Sequence, residues 1–144
     1  MAAYDPFLLG RADPYRERLA DVATRDREAE VWVAVQGDGD RVLGAVTVCP
    51  PGGGMREVAR PEEGEFRMLA VHPAAQGRGV GEALATLVVE RFRRDGAPGI
   101  ALSSLTEMHG AHRLYERLGF VRDTARDWSP VPGVQLIAYH RELP

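Results

Sequence analysis

The feature that most constrains this chain is a glycine-rich connection between a strand-like run and a helical pattern. It reads HPAAQGRGVGEAL (72–84) and places glycines at alternate positions, Gly77, Gly79 and Gly81. The preceding run EFRMLAV (65–71) predicts a buried central strand, and apolar residues recur at helical spacing over 80–95. Glycine lets a backbone adopt positive φ and approach a ligand closely. Because the first amides of a helix lack internal acceptors and face the positive end of its dipole, this turn predicts an anion site.

Two common phosphate sites do not fit this turn. The dinucleotide pattern G-x-G-x-x-G fails, because its last position falls on Glu82 when counted from Gly77 and on Leu84 when counted from Gly79. A nucleoside-triphosphate loop needs Gly-Lys, and all 18 basic residues of the chain are arginine. The pattern that remains is Gln76-x-x-Gly79-x-Gly81 within a strand–turn–helix unit.

The rest of the chain predicts one mixed α/β domain over residues 1–144, without internal repeats or a long linker. Asp13 and Pro14 suit the start of a helix over 13–27. Ser104 and Glu107 fit a capping box for a helix that runs to Leu118. The predicted strands are a hairpin of 31–35 and 41–48, the central run 65–71, then 99–105, 120–123 and 134–140.

Composition narrows the classes of partner. The net charge of −3 and pI near 5.8 disfavour nucleic acid. Cys49 is the sole cysteine, which excludes an internal disulfide, and no apolar run is long enough for a membrane span. We see no secretory signal and expect a cytoplasmic protein. His109 and His112 lack an apparent third ligand, so we expect no metal.

A second motif, AHRLYERLGF (111–120), follows the glycine turn after an intervening strand. Together the two motifs resemble the GCN5-related N-acetyltransferase (GNAT) superfamily, whose acetyl-CoA turn reads Gln/Arg-x-x-Gly-x-Gly/Ala and whose later helix reads A-x-x-x-Y-x-x-x-G-F. The resemblance implies a central mixed, mostly antiparallel sheet flanked by helices. It also implies transfer of an acetyl group from acetyl-CoA, the donor substrate, to an amine.

The resemblance assigns expected roles to individual residues. The Leu69 amide should contact the thioester carbonyl, and Val71 should pair with the pantetheine arm. The amides of the turn should hold the pyrophosphate; these belong to Gln76, Gly77, Arg78, Gly79, Val80 and Gly81. Tyr115 matches the motif tyrosine and is the expected acid, with a core tyrosine as the alternative. Glu65, eleven residues before Gln76, is the candidate base, with an ordinary strand-end glutamate as the alternative.

This chain departs from the family pattern at two places. Met108 stands where many relatives have asparagine, and nothing before Asp13 alternates convincingly, so the usual first strand is expected to be short or missing. A second copy, as in a homodimer, is one way to complete that edge. We also expect Asp127 and Trp128 to line the acceptor pocket together with three glutamates, Glu57, Glu62 and Glu63. The rival to an enzyme is a noncatalytic acyl-CoA-binding sensor or regulatory module.

Overall fold

A six-stranded sheet forms the centre of the protein. The computed structural model describes residues 1–8 and 13–144. Its strands are β1 Glu30–Val35, β2 Val42–Cys49, β3 Gly64–Val71, β4 Gly99–Leu105, β5 Val121–Arg122 and β6 Leu136–Glu142, and their order across the sheet is β1-β2-β3-β4-β6-β5. Neighbouring strands are antiparallel except for β3 and β4, which are parallel. The mixed, mostly antiparallel sheet predicted from the sequence is confirmed.

In the described residues four α-helices accompany the sheet: α1 Pro14–Ala20, α2 Val22–Glu28, α3 Val80–Arg94 and α4 His109–Arg117. The prediction of one helix over 13–27 is wrong, because the backbone leaves helical geometry at Asp21 (φ −80°, ψ 70°). The Asp21 carboxylate accepts a hydrogen bond of 3.1 Å from the Thr24 amide and so starts α2. The Asp13 cap is confirmed, since its carboxylate accepts from the Tyr15 amide at 2.9 Å.

The capping box predicted for α4 is also wrong. Ser104 lies within β4, and the N-cap of α4 is Met108, four residues later. The Ser104 hydroxyl instead lies 3.2 Å from Nε2 of His112, one turn into the helix. The hydroxyl therefore joins β4 to α4 by a tertiary contact, which local spacing does not encode.

The hydrophobic core lies between α3 and one face of the sheet. Leu84, Val88 and Phe92 of α3 pack with Phe66 of β3 in one continuous cluster that also takes in α4. Gly64 is the first residue of β3 and lies against the Phe92 ring. A Cβ at this position would lie 2.4 Å from a ring carbon. In the described part of the chain before Pro14 there is one 3-10 turn, Asp5–Phe7, and no strand. The expectation of a short or missing first strand also concerns residues 9–12, which lie outside the described residues.

Candidate functional site

The two parallel strands at the centre of the sheet separate soon after they begin. Gly64 pairs with Ile100 and Glu65 with Ala101, and past this point neither of these fully described strands pairs with the other. A cavity of about 280 Å³ lies in the gap. Residues 66–69 of β3 line one side of it and residues 103–105 of β4 line another. The sheet thus opens next to a strand edge that β4 leaves uncovered.

A bulge in β3 lies at this opening. The β2–β3 register shifts so that Met68 and Leu69 together stand opposite one β2 residue, Val46. Met68 has φ of +55°, a left-handed conformation that costs a non-glycine residue about 1–2 kcal/mol. The Leu69 carbonyl accepts a hydrogen bond of 3.1 Å from the Tyr4 hydroxyl. The bulge therefore brings the Leu69 main chain to the cavity.

The glycine turn connects the end of β3 to α3. Gly77 and Gly79 have φ of +77° and +81°, and Gly79 is the N-cap of α3. A glycine cap brings no side chain, so the first amides of α3 keep their hydrogen-bonding capacity for another acceptor. Nε2 of Gln76 donates to the Val71 carbonyl at 3.3 Å, which ties the turn to the strand. At Gly81 a Cβ would lie 3.3 Å from the Val71 side chain.

The residues expected to hold pyrophosphate are therefore contiguous at the N-terminal end of α3. Arg78 is exposed between the two left-handed glycines, and Val80 packs half-buried against the core cluster. The side chain of Val80 thus anchors the helix while the main chain of the turn stays at the surface.

Tyr115 of α4 belongs to both the core and the cavity. Its ring is 6% exposed and packs 5.9 Å from the ring of Phe66 and 5.8 Å from that of Tyr139. It also lines the cavity. Burial, with smaller effects of Tyr139 and Tyr15, raises the pKa of this phenol well above its usual value. The phenol therefore stays protonated at neutral pH.

Glu65, the other predicted catalytic side chain, is sealed inside the protein. Its Oε2 accepts three main-chain hydrogen bonds of 2.9 Å, from the amides of Glu57, Val58 and Ala59. The residue is 0% exposed, and Oε1 finds no partner within the described ranges. The cavity-lining residues include its neighbour Phe66 but not Glu65.

Of the acidic residues expected around an acceptor, Glu57 lines the cavity. Its carboxylate forms an ion pair with Arg67, and burial raises its pKa. Glu63 is instead bound by Arg126 at 2.7 Å. The Asp127 carboxylate accepts hydrogen bonds from two guanidinium nitrogens of Arg122, Nη1 and Nη2. The carboxylates of Glu63 and Asp127 therefore form structural ion pairs with arginines.

The sequence did not predict that the N-terminal segment would line one side of the cavity. Tyr4, Phe7, Tyr15 and Arg18 all line it. The segment before Asp13 has no periodicity, and the only available signal was the presence of two aromatic residues in an otherwise unpatterned stretch. Such a stretch acquires a position only through tertiary contacts, such as the Tyr4–Leu69 hydrogen bond.

The described residues contain no cluster of three or more His, Cys, Asp or Glu side chains suited to a metal. Nε2 of His112 lies 2.9 Å from the Leu105 carbonyl, so this histidine serves the α4–β4 contact. Across residues 1–8 and 13–144, no helix combines the length and apolar character that a bilayer crossing requires.

Comparisons with known proteins agree with this geometry. The model of the acetyltransferase (GNAT) family matches residues 3–120. A mycothiol acetyltransferase of Geodermatophilus obscurus is 39% identical over 105 residues, covering 68% of this chain and 33% of the relative. One of Cellulomonas flavigena is 36% identical over 129 residues, covering 83% and 36%. The chain thus spans about a third of the length of these curated relatives.

Solved structures show the same fold. Nourseothricin acetyltransferase superposes with a TM-score of 0.63 at 29% identity, covering 83% of this chain and 68% of that one. A Bacillus subtilis acetyltransferase, solved in complex with CoA, superposes with a TM-score of 0.67 at 22% identity, covering 99% and 91%.

Proposed function

The chain belongs to the GNAT family of acetyltransferases, and we propose on this basis that it transfers the acetyl group of acetyl-CoA to an amine. The observation that carries the proposal is the separation of β3 and β4 after Glu65 and Ala101. It leaves an uncovered strand edge beside a cavity, and that strand leads directly into the glycine turn. An elongated donor with a phosphate group at one end and a thioester at the other suits this arrangement.

The turn is the proposed site of the pyrophosphate. Its amides, those of residues 76–81, surround the N-terminus of the 15-residue helix α3. Each such contact contributes about 0.3–1 kcal/mol when exposed, so several must converge on one ligand. Gly77 and Gly79 supply the left-handed backbone without strain, which a side chain at either position would introduce.

The uncovered edge of β3 is the proposed site of the pantetheine arm. An extended ligand can add to such an edge through main-chain hydrogen bonds, as peptides do at open sheet edges. Val71 lies near the turn and Leu69 lies at the bulge beside the cavity. In this arrangement the thioester reaches the Leu69 amide and the cavity that Tyr115 lines.

The reaction we propose is direct attack of the amine on the thioester. An alkyl ammonium with a pKa near 10.4 must first lose a proton, which costs about 4.6 kcal/mol at pH 7. The neutral nitrogen then forms a bond to the carbonyl carbon, the C–S bond breaks, and its electron pair stays on sulfur. The nitrogen releases a second proton, Tyr115 donates one to the CoA thiolate, and solvent reprotonates Tyr115. The sum is N-acetylated product, CoA and one proton.

The acceptor is an amine on a small molecule or a protein whose identity is open. Two similar curated proteins are named mycothiol acetyltransferase, so molecules related to mycothiol belong in an acceptor panel. The cytoplasmic location, the absence of nucleic-acid and membrane partners, and a homodimer remain predictions from the sequence.

The test is an assay of the full chain with acetyl-CoA and a panel of primary amines. We expect amine-dependent release of the CoA thiol together with a product that mass spectrometry identifies as N-acetylated. A folded chain that binds acetyl-CoA yet acetylates no amine would instead support a noncatalytic acyl-CoA-binding module.

A further inference from the structure

The environment of Glu65 is unsuited to a base that exchanges protons with a substrate. Oε2 accepts hydrogen bonds from three main-chain N–H donors, so this oxygen is already occupied. Oε1 is buried as well, and the residue has no exposed surface. A carboxylate buried in this way has no surface at which an acceptor ammonium could meet it.

Three acidic residues line the 280 Å³ cavity: Asp13, Glu57 and Glu107. The Asp13 carboxylate caps α1 by accepting from the Tyr15 amide, and hydrogen bonds with Thr106 and a main-chain amide lower the pKa of Glu107. Glu57 has a carboxyl pKa that burial raises, and it lines the cavity together with Leu69 and Tyr115. It also lines a neighbouring cleft of about 410 Å³ between α1–α2 and the loop after β2. Three other residues line both the cavity and the cleft: Arg18, Arg67 and Met68. The Glu57 side chain is 20% exposed, and the residue lies where the cleft meets the cavity because it lines both.

The two glutamates are connected through the main chain. The Glu57 amide is one of the three donors to Glu65, and the next two donors are the residues that follow it. A buried carboxylate that accepts three successive amides fixes the loop that presents Glu57. Arg67 completes the arrangement, since it pairs with Glu57 and also donates to the Met55 carbonyl at 3.0 Å.

From this geometry we propose that Glu57 is the catalytic residue that takes the first proton from the acceptor ammonium, and that Glu65 is a positioning residue acting through the 57–59 amides. The proposal rests on the acetyl transfer proposed above. The proton passes from the ammonium nitrogen to a Glu57 carboxylate oxygen and then to solvent. The neutral amine attacks the thioester, and the rest of the reaction is unchanged.

The charged groups around Glu57 suit its proposed role as the base. Burial is the main influence on its carboxyl group and raises the pKa; Arg67 and Arg18 oppose this, and Glu65 adds to it. Tyr15 and the buried Cys49 are the other titratable groups that sense the Glu57 charge. A carboxylate whose pKa rises toward neutrality is a stronger base at pH 7 while remaining ionised.

The experiment compares two nucleophiles at saturating acetyl-CoA in the wild type, Glu57→Gln and Glu65→Gln. Ethanolamine is cationic at pH 7 and needs a base, whereas hydroxylamine is mostly neutral and does not. We expect Glu57→Gln to lower kcat with ethanolamine roughly 100-fold and kcat with hydroxylamine less than about threefold. Asp26→Asn, an exposed carboxylate on α2, is the matched control and should behave as the wild type with both.

The pH profile separates the base from the positioning residue. With ethanolamine, wild-type kcat should fall on the acidic side as Glu57 protonates, at a pH above the usual glutamate range. Glu57→Gln should abolish this acidic fall, whereas Glu65→Gln should lower kcat but keep it. The proposal would be overturned if Glu57→Gln lowered kcat equally with both nucleophiles. It would also be overturned if Glu65→Gln, rather than Glu57→Gln, abolished the acidic fall in kcat. A folded wild type that is inactive with both nucleophiles and with every amine of the panel would overturn the acetyl transfer itself.

Discussion

The Tyr4 hydroxyl donates a hydrogen bond of 3.1 Å to the Leu69 carbonyl, 65 residues further along the chain. Tyr4 is 6% exposed and its ring packs 6.2 Å from that of Tyr15. This contact joins the N-terminal segment to the β3 bulge. A chain without a strand in the described residues before Pro14 thereby still closes one side of its central cavity.

Tyr4→Phe removes this hydrogen bond and keeps the ring. We expect the free energy of unfolding to fall by about 1 kcal/mol, the usual net contribution of one hydrogen bond. Urea titration followed by circular dichroism measures it. Tyr139→Phe is the control, because the Tyr139 hydroxyl has no hydrogen bond among the described residues, and it should cost less. Equal costs for the two variants would argue against the Tyr4–Leu69 contact.

Gly64→Ala tests the close packing at the point where β3 and β4 are still paired. A methyl group at Gly64 would lie 2.4–2.6 Å from ring carbons of the fully buried Phe92. We expect a loss of about 1–3 kcal/mol in the free energy of unfolding, the usual cost of overpacking a core. Gly54→Ala, in the loop after β2 with open space around its Cβ, should change stability little. A neutral Gly64→Ala would mean that Phe92 packs elsewhere.

Tyr115→Phe tests the proposed acid. Removing the hydroxyl should lower kcat about 100-fold, within the usual range for proton-transfer catalysis, while acetyl-CoA affinity stays near that of the wild type. Steady-state kinetics and calorimetry measure the two quantities. Tyr139→Phe, which removes a phenol from the neighbouring ring that does not line the cavity, should retain activity. If Tyr115→Phe keeps full activity, Tyr115 is a core tyrosine only.

Alkaline pH should destabilise the protein through its buried tyrosines. Burial raises the folded-state pKa of Tyr4, Tyr15 and Tyr115 above 10. Their stabilising effect is complete below the unfolded-state pKa near 10 and is lost as pH rises toward the folded-state values. Each phenol contributes a slope of up to about 1.4 kcal/mol per pH unit there. Urea titrations between about pH 9 and pH 11 should show this decline in the free energy of unfolding. In Tyr115→Phe its slope against pH should be smaller, because one of the three phenols is absent. An unchanged slope in that variant would contradict the burial of Tyr115.

The sequence sufficed to predict the strand–turn–helix unit because its signals are local. Gly77 and Gly79 adopt the positive φ that only glycine takes freely, and α3 runs from Val80 almost to the predicted end. The helix break at Asp21 was missed because aspartate is compatible with both a helix interior and a cap. The apolar spacing on either side of it gave no indication.

The side-chain geometry of the site could not be predicted in the same way. Glu65 has the spacing of a base, but its carboxylate turns to the amides of a loop whose shape follows from arginine and glutamate contacts across the fold. Tyr4 reaches the cavity through one long-range hydrogen bond. Ser104 resembles a cap by spacing and is a strand residue in fact. Each case depends on tertiary contacts that no short window contains.

The most direct test of the donor site is calorimetric titration of acetyl-CoA into the wild type, Gly79→Gln and Gly79→Glu. Both substitutions have free space for the side chain and impose the same left-handed strain, so they differ in charge alone. Gly96→Glu, at the opposite end of α3 and also at positive φ, controls for strain and charge away from the turn. It should bind as the wild type does.

If the turn holds pyrophosphate, the wild type binds saturably and Gly79→Glu binds at least about tenfold more weakly than Gly79→Gln, because the added carboxylate repels the phosphates. Equal affinity of the two Gly79 variants, or no binding by a folded wild type, would contradict the assignment of this turn to acetyl-CoA.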